Sequence, residues 1–194
     1  VIGSDAVARA APDGYTLLWG SSSALAILPA FRQKMPFDPL RDLAPISLGA
    51  KIGYILVVHP SVPAKNLKEL IALAKKNPGK LNYASVAGSS QLMSEMVNTM
   101  AGIKTIPIPY KGAVPATVAV IGGEADFQIH AFSSLLPLVQ SGKLRALGVT
   151  MDRRSTVAPD IPTISEAGLP GYNASSWFSL LAPAGTPRDV VVRI

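Results

Sequence analysis

The hydrophobic positions of the chain fall into two patterns: short continuous apolar runs, and longer segments in which apolar residues recur at helical spacing. The clearest helix follows Asn66, a predicted N-cap with Glu69 three residues later, as in a capping box. A second helix is predicted over 89–101, because its apolar residues also share one face. The methionines among them indicate core packing, since methionine fills irregular gaps between elements.

The short apolar runs predict strands that alternate with helices. Strands are predicted over 15–19, 46–48, 54–58, 81–85, 105–109, 125–130, 144–150 and 176–182. Further helices are predicted before the Pro12-Asp13-Gly14 turn, over 114–121, 133–139 and 164–167, and after Pro187. This alternation with short connections is typical of an α/β fold with a largely parallel sheet, in which we expect 15–19 to be a buried strand.

Two extended segments, 54–63 and 173–183, bracket a continuous α/β unit. This arrangement predicts an inserted second lobe over 60–173, joined by two crossing segments to a first lobe built from 1–59 plus 174–194. The first residues of the chain continue a predicted helix whose start is not included, and the last residues form only the first turn of another predicted helix. We therefore expect an internal fragment with an incomplete first lobe, and any signal peptide upstream of it.

Composition and charge narrow the class of protein. A hydrophobic fraction of 48% with 15% charged residues indicates a folded core. The net charge is +6, but the basic residues are scattered, and their densest group is Lys75, Lys76 and Lys80, which favours a solvated helix face over a nucleic-acid interface. The absence of cysteine excludes disulfides and cysteine-ligated metals. Because the apolar runs are far shorter than the roughly 20 residues that span a bilayer, we expect no direct membrane insertion.

Residue patterns for catalysis are weak. The chain has two histidines, His59 and His130, and no serine stands in a G-x-S-x-G elbow, so a hydrolase is the weaker alternative. Glu124 and Asp126 would share one face of a strand, but no histidine or third carboxylate clusters with them. We expect no metal, no cofactor and no enzymatic activity.

Three segments rich in small residues lie between a predicted strand and the next predicted helix, at 20–23, 85–90 and 110–113. A helix N-terminus presents unpaired N–H groups and the positive end of the helix dipole, so it attracts carboxylate or phosphate. Small side chains let such a ligand reach the backbone, and serines add hydroxyl groups. Open α/β sheets bind ligands at the carboxyl ends of their strands, which is where these segments are predicted.

Several stretches in order along the chain resemble one family, the Bug substrate-binding proteins of tripartite tricarboxylate transporters. They are "APDGYTLLWGSSS", "MPFDPLRDLAPISL", "LVVHPSVPAKNLKELIALAKKNPGKLNYASVAGSSQ", "PYKGAVPA", "GGEADF", "SGKLRALGVT", "PDIPTISEAGLPGY" and "SSWFSLLAPAGTP". The resemblance implies a two-lobed periplasmic binding protein of type II, a Venus flytrap, with one lobe complete and the other truncated. It also implies that a small carboxylate is captured between the lobes and delivered to membrane permease subunits.

The resemblance also implies which residues hold the ligand. Ser21 and Ser22 match a serine loop of the first lobe, and Asp126 matches an acidic position after a double glycine. The second-lobe anion loop is matched by Ser85, Gly88 and Ser89, with Ser90 completing it.

Other positions differ from residues frequent in the family. Leu25 and Leu28 stand where histidine and asparagine are common, Gln91 replaces a histidine, and His130-Ala131 replaces an Asp-Asn pair. We hypothesise that a more apolar wall favours a less polar or aromatic carboxylate. A ligand-sensing module coupled to a signalling partner stays open as an alternative to transport.

Overall fold

The computed structural model describes residues 1–31 and 34–194. Its first elements are α1 (Ile2–Ala8), β1 (Leu18–Ser21), a π-helical turn (Ser23–Ile27), α2 (Leu28–Phe31), β2 (Leu43–Ile52), β3 (Tyr54–Val58), α3 (Leu67–Lys76), β4 (Asn82–Val86) and α4 (Ser89–Ala101). They are followed by β5 (Ile106–Tyr110), α5 (Ala113–Ile121), β6 (Phe127–Ala131), α6 (Phe132–Gln140), β7 (Arg145–Val149), α7 (Ile164–Ala167), β8 (Ser176–Pro183) and α8 (Arg188–Arg193). The predicted strand–helix alternation is present.

The chain divides into two compact units, Val1–Lys51 with Ser176–Ile194, and Ile52–Ser175. The lobe boundaries predicted from the sequence lie after residues 59 and 173. The difference arises because β3 pairs with β6 and β7, and so belongs to the sheet of the second unit. The assignment of the units as two lobes of a binding protein stays a prediction.

The second unit contains a five-stranded sheet in the order β5-β4-β6-β3-β7. The strand β4 is parallel to both β5 and β6, whereas β3 is antiparallel to both β6 and β7. Four strands therefore point the same way and β3 opposes them, so the sheet is mixed rather than largely parallel as expected. Local apolar patterning predicts that a strand exists but not its direction.

The position of β3 within the sheet follows from its unbroken apolar sequence. Residues 55–58 are fully buried, with Ile55 and Val57 in one hydrophobic cluster and Leu56 and Val58 in the other. Successive side chains of a strand point to opposite faces, so β3 contributes to the cores on both sides of the sheet. Residues of α5 and α6 pack in the cluster of Ile55 and Val57, and residues of α3 and α4 pack in the cluster of Leu56 and Val58.

Side-chain caps define two helix starts in the second unit. The Oδ1 of Asn66 accepts a hydrogen bond from the N–H of Glu69 at 3.0 Å, which confirms the predicted cap of α3. The Glu69 carboxylate reaches back to the N–H of Lys65 at 2.7 Å, one residue earlier than in a standard capping box. At α7, Thr163 and Glu166 form the reciprocal pair.

The first unit holds a three-stranded sheet in the order β1-β8-β2, in which Leu18 of β1 lies opposite Leu181 of β8. The expected buried strand over 15–19 is wrong in both position and burial. The Oδ1 of Asp13 accepts the N–H of Tyr15 at 3.0 Å, which prolongs the turn, and the strand begins at Leu18. Within it, Trp19 is 55% exposed and stacks on Phe178 of β8 at a centroid distance of 6.1 Å.

Among the helices of the described residues, none is both long and apolar enough to cross a membrane.

Candidate anion-binding site

The loops that follow the parallel strands of the second unit share one edge of its sheet. Because β4, β5, β6 and β7 point the same way, their carboxyl ends lie together, and α4, α5 and α6 begin directly after β4, β5 and β6. We call this the carboxyl edge; it includes residues 85–90, 110–113 and 130–133. The first two segments were predicted from their small residues. The third was missed because His130 and Phe132 do not match that pattern.

Gly88 gives the loop between β4 and α4 its shape. It is the N-cap of α4, with φ 99° and ψ −136°, a conformation that side chains with a Cβ rarely adopt. Its carbonyl accepts the N–H of Leu92 at 3.1 Å, so the N–H groups of the three residues between them belong to the first turn, where the helix itself provides no acceptor. These donors and the dipole of a 13-residue helix favour an anion at this point.

Ser89 and Ser90 follow Gly88, and both are buried. The Ser90 hydroxyl donates to the carbonyl of Ile129 in β6, and the Ser90 carbonyl accepts the Ser94 hydroxyl at 3.0 Å. Ser90 thus anchors the first turn of α4 to the sheet. With its hydroxyl hydrogen directed at Ile129, Ser90 can offer an anion only its backbone N–H.

Ser85 is two residues after Tyr83, so the two side chains lie on the same face of β4. Their hydroxyl groups form a hydrogen bond. The Tyr83 phenol donates its hydrogen to Glu95 of α4, so the Ser85 hydroxyl is the donor to the phenol oxygen. Burial, followed by the adjacent Glu95 carboxylate, raises the pKa of Tyr83 far above its ordinary value. The phenol therefore stays protonated, and it holds Ser85 in place below the loop.

Asp126 lies away from the other predicted residues of this unit. Its carboxylate accepts the N–H of Asn82 at 2.7 Å, and its own N–H donates to the Asn82 side chain at 3.0 Å. Asn82 begins β4, whereas Ser85 lies near its end, about 10 Å further along the strand, and Gly88 follows that end. The structure thus brings Ser85, Gly88, Ser89 and Ser90 together, but it places Asp126 at the opposite edge of the sheet.

The two serines predicted in the first unit lie at the end of β1. Ser21 accepts the N–H of Ala24 at 3.4 Å, and the buried Ser22 forms a 2.8 Å hydrogen bond with the Ser176 hydroxyl. The N–H of Trp177 also donates to Ser22 at 3.4 Å. Ser22 therefore joins the end of β1 to β8, and the predicted ligand contacts of both serines stay predictions.

His130 adds a titratable group to the carboxyl edge. It stands near the end of β6, edge-on to Tyr54 with ring centroids 5.9 Å apart. Its Nδ1 is buried and has no hydrogen-bond partner among the described residues. Burial lowers the pKa of His130, so the neutral imidazole is favoured. A lone histidine in a strand gives no sequence signal for this environment.

The other histidine does not form a recognisable catalytic group. The Nδ1 of His59 lies 2.6 Å from the Ser61 hydroxyl, but it also accepts the N–H of Ser61 at 3.2 Å within the same tight turn. Across residues 1–31 and 34–194, the hydrogen bonds of the His59 ring include none to a carboxylate. In the same part of the chain, no three His, Cys, Asp or Glu residues are grouped to hold a metal ion.

The family model for the tripartite tricarboxylate transporter family receptor matches residues 1–194. The chain belongs to this receptor family. It is 40% identical to the protein BugT of Bordetella pertussis over 99% of the chain and 60% of BugT. The sequence-based family prediction is confirmed.

Two solved structures share the receptor fold closely. The structure of R. palustris Rpa4515 with adipate has a TM-score of 0.90 and 33% identity, covering 99% of this chain and 65% of that one. MatC from Rhodopseudomonas palustris with bound malate has a TM-score of 0.84 and 29% identity, covering 99% and 66%. The predicted α/β receptor fold is confirmed, and the chain spans about 60% of the length of BugT.

Proposed function

We propose that this receptor captures a small carboxylate in the periplasm and delivers it to the membrane permease subunits of a tripartite tricarboxylate transporter. Family membership supports the receptor role, and related structures with adipate and malate support a carboxylate as the ligand class. The observation that carries the proposal is the Gly88–Ser89 turn, which opens a 13-residue helix at the carboxyl edge.

In this mechanism the backbone supplies most of the binding. A ligand carboxylate accepts N–H groups from the first turn of α4, where Gly88 has no side chain to obstruct it. The dipole of α4 stabilises the negative charge, and no lysine or arginine is required in contact with it. Binding to such a site needs no proton transfer and breaks no covalent bond, which suits a carrier that must release its ligand unchanged.

Side chains behind the loop keep it in shape. Ser90 joins α4 to Ile129, while Tyr83 and Glu95 hold Ser85. We assign these contacts a positioning role. Asp126 is left out of the proposed site, because its carboxylate is bonded to Asn82 at the other edge. Ser21 and Ser22 stay proposed contacts from the first unit.

The experiment is a thermal-shift screen of the full-length protein against a panel of carboxylates that includes adipate, malate and benzoate. A ligand that binds only the folded protein raises its melting temperature, and calorimetry then gives its Kd. The substrate is recovered and analysed after incubation, since an enzyme would convert it and a receptor would not. If no carboxylate stabilises the full-length protein, the proposed function is wrong.

A variant pair then locates the site. Ser89→Asp places a carboxylate at the loop, and we expect the affinity to fall at least about a hundredfold through like-charge repulsion. Because Ser89 is buried, circular dichroism must first verify that the variant folds. The control Thr99→Asp adds the same charge to an exposed position about 15 Å along α4, and it should leave the affinity unchanged. Unchanged affinity in Ser89→Asp would exclude the loop.

A further inference from the structure

A cavity of about 330 Å³ opens in the second unit beside the end of β7. We call it the β7 cavity. Its apolar wall is formed by Tyr54, Phe132, Val149 and Met151. Small-molecule sites in proteins start at about this volume and combine apolar walls with a few polar groups. Tyr54 of β3 lines the cavity, and β3 lies two strands from β4, a spacing of about 10 Å across the sheet.

Hydrogen bonds between backbone segments hold the wall of the β7 cavity. The carbonyl of Gly53 accepts the N–H of Phe132 at 3.0 Å, which ties the start of α6 to the start of β3. Tyr54 exchanges two bonds with Thr150: its N–H donates to the threonine hydroxyl at 3.0 Å, and its carbonyl accepts the threonine N–H at 2.9 Å. These hydrogen bonds fix the backbone of Tyr54 and Phe132, whose aromatic side chains form the wall.

Met151 closes one side of the β7 cavity against Gly53. A Cβ built on Gly53 would lie 2.6 Å from the Met151 sulfur, so the thioether occupies the space that a side chain at position 53 would need. This contact holds the end of the Met151 side chain at the cavity wall, where its methyl group can report on an occupant.

Two adjacent arginines line the β7 cavity, and their environments differ. Arg154 donates to the Glu166 carboxylate at 2.8 Å and to the Pro159 carbonyl at 3.1 Å, which fixes its guanidinium. Arg153 makes no hydrogen bond or ion pair within the part of the chain that the structure describes. Among the described residues that line the cavity, none is acidic. The guanidinium of Arg153 is therefore available to pair with an anion beside the apolar wall.

We propose that the β7 cavity binds a small aromatic or branched aliphatic monocarboxylate, with its carboxylate on Arg153 and its apolar body against Phe132 and Met151. A guanidinium pairs with a carboxylate through two parallel N–H bonds, and the rings of Tyr54 and Phe132 suit a flat apolar group. This site is separate from the Gly88 loop and does not depend on the proposed transport function.

The native methionines provide the test, because methyl NMR of methionine-labelled protein reads each one separately. Met151 lines the β7 cavity, whereas Met93, Met96 and Met100 lie on α4, behind the Gly88 loop. Benzoate is the probe, with benzamide as its neutral analogue and acetate as a small anion. We expect benzoate to shift the Met151 methyl resonance saturably, and we expect benzamide and acetate to bind more weakly.

A charge-matched variant pair completes the test. Arg153→Gln should weaken benzoate binding about fivefold, as expected for one partly exposed ion pair. Arg188→Gln removes the same charge from an exposed position of the first unit and should have no effect. The proposal is overturned if the Met151 methyl does not move, if only the α4 methionines move, or if benzamide binds as tightly as benzoate.

Discussion

The phenol of Tyr83 donates a hydrogen bond to the Glu95 carboxylate from a fully buried position on β4. The contact continues along α4, where Asn98 donates to Glu95 at 3.3 Å and accepts the Thr105 hydroxyl at 2.8 Å. At its other end, Ser85 bonds to the phenol. A connected polar chain thus runs from the base of the anion loop along the helix that the loop begins, and it couples the shape of the loop to the packing of α4 on β4.

Replacing Tyr83 by Phe should destabilise the protein by about 1–3 kcal/mol, because a half-buried carboxylate and the buried Ser85 each lose a partner. Urea unfolding measures the change. The control Tyr15→Phe removes a hydroxyl from a residue that is 93% exposed and should change stability by less than about 0.5 kcal/mol. Equal stability of Tyr83→Phe and the parent protein would show that the chain of bonds contributes little.

Gly88→Ala should destabilise the protein by about 1–3 kcal/mol and weaken carboxylate binding, because alanine is strained at φ 99° and the first turn of α4 must shift. Unfolding by urea and calorimetric titration of the full-length protein measure the two effects. Gly3→Ala is the matched control: Gly3 is helical, and no atom lies within 4 Å of an added Cβ. That change should be neutral or slightly stabilising. A Gly88→Ala protein that retains both stability and affinity would contradict the assigned role of the turn.

Asp126→Ala separates a structural role from a binding role. Loss of the carboxylate leaves the N–H of Asn82 without its 2.7 Å acceptor, so we expect a destabilisation of about 1–2 kcal/mol. Ligand affinity of the folded protein should not change, because Asp126 lies at the edge opposite Gly88. A large fall in affinity with little loss of stability would instead support the ligand contact inferred from the sequence.

The features that were predicted correctly depend on residues close together in the chain. The bounds of α4, Ser89–Ala101, follow from helical spacing and small residues at its start, and the Asn66 cap follows from a three-residue interval. The α/β alternation also follows from local patterns, and so does the candidate anion loop, whose ligand contacts stay a prediction.

The features that were missed depend on residues far apart. Asp126 meets Asn82 across 44 positions, and Ser90 meets Ile129 across 39. The apolar run 54–58 predicts a strand, but its antiparallel direction is set by β6 and β7. Such pairings follow from sheet topology, which periodicity along one segment does not encode. Small residues in the loop therefore indicated residues 85–90 as a candidate anion loop, whereas the family resemblance added Asp126, whose carboxylate is bonded to Asn82.

His130 should make stability depend on pH. Burial holds the pKa of the folded-state imidazole below its ordinary value of 6.5, so the unfolded chain binds a proton that the folded chain resists. Stability is therefore retained above pH 6.5 and declines as the pH falls below it. His130→Phe keeps an aromatic ring beside Tyr54 and removes both the titration and the unpaired Nδ1.

We expect His130→Phe to be at least as stable as the parent protein at pH 7.5. At pH 5.5 its advantage in free energy of unfolding over the parent should be larger. Urea unfolding at both pH values gives the comparison, with the difference between the two proteins as the quantity measured, so that other titrating groups cancel. Tyr54→Leu, which removes the edge-on ring but keeps the histidine, should retain the parent's decline toward acid because His130 stays buried by β3 and β6. A difference between His130→Phe and the parent that is the same at both pH values would show that the folded protein accepts the proton as readily as the unfolded chain.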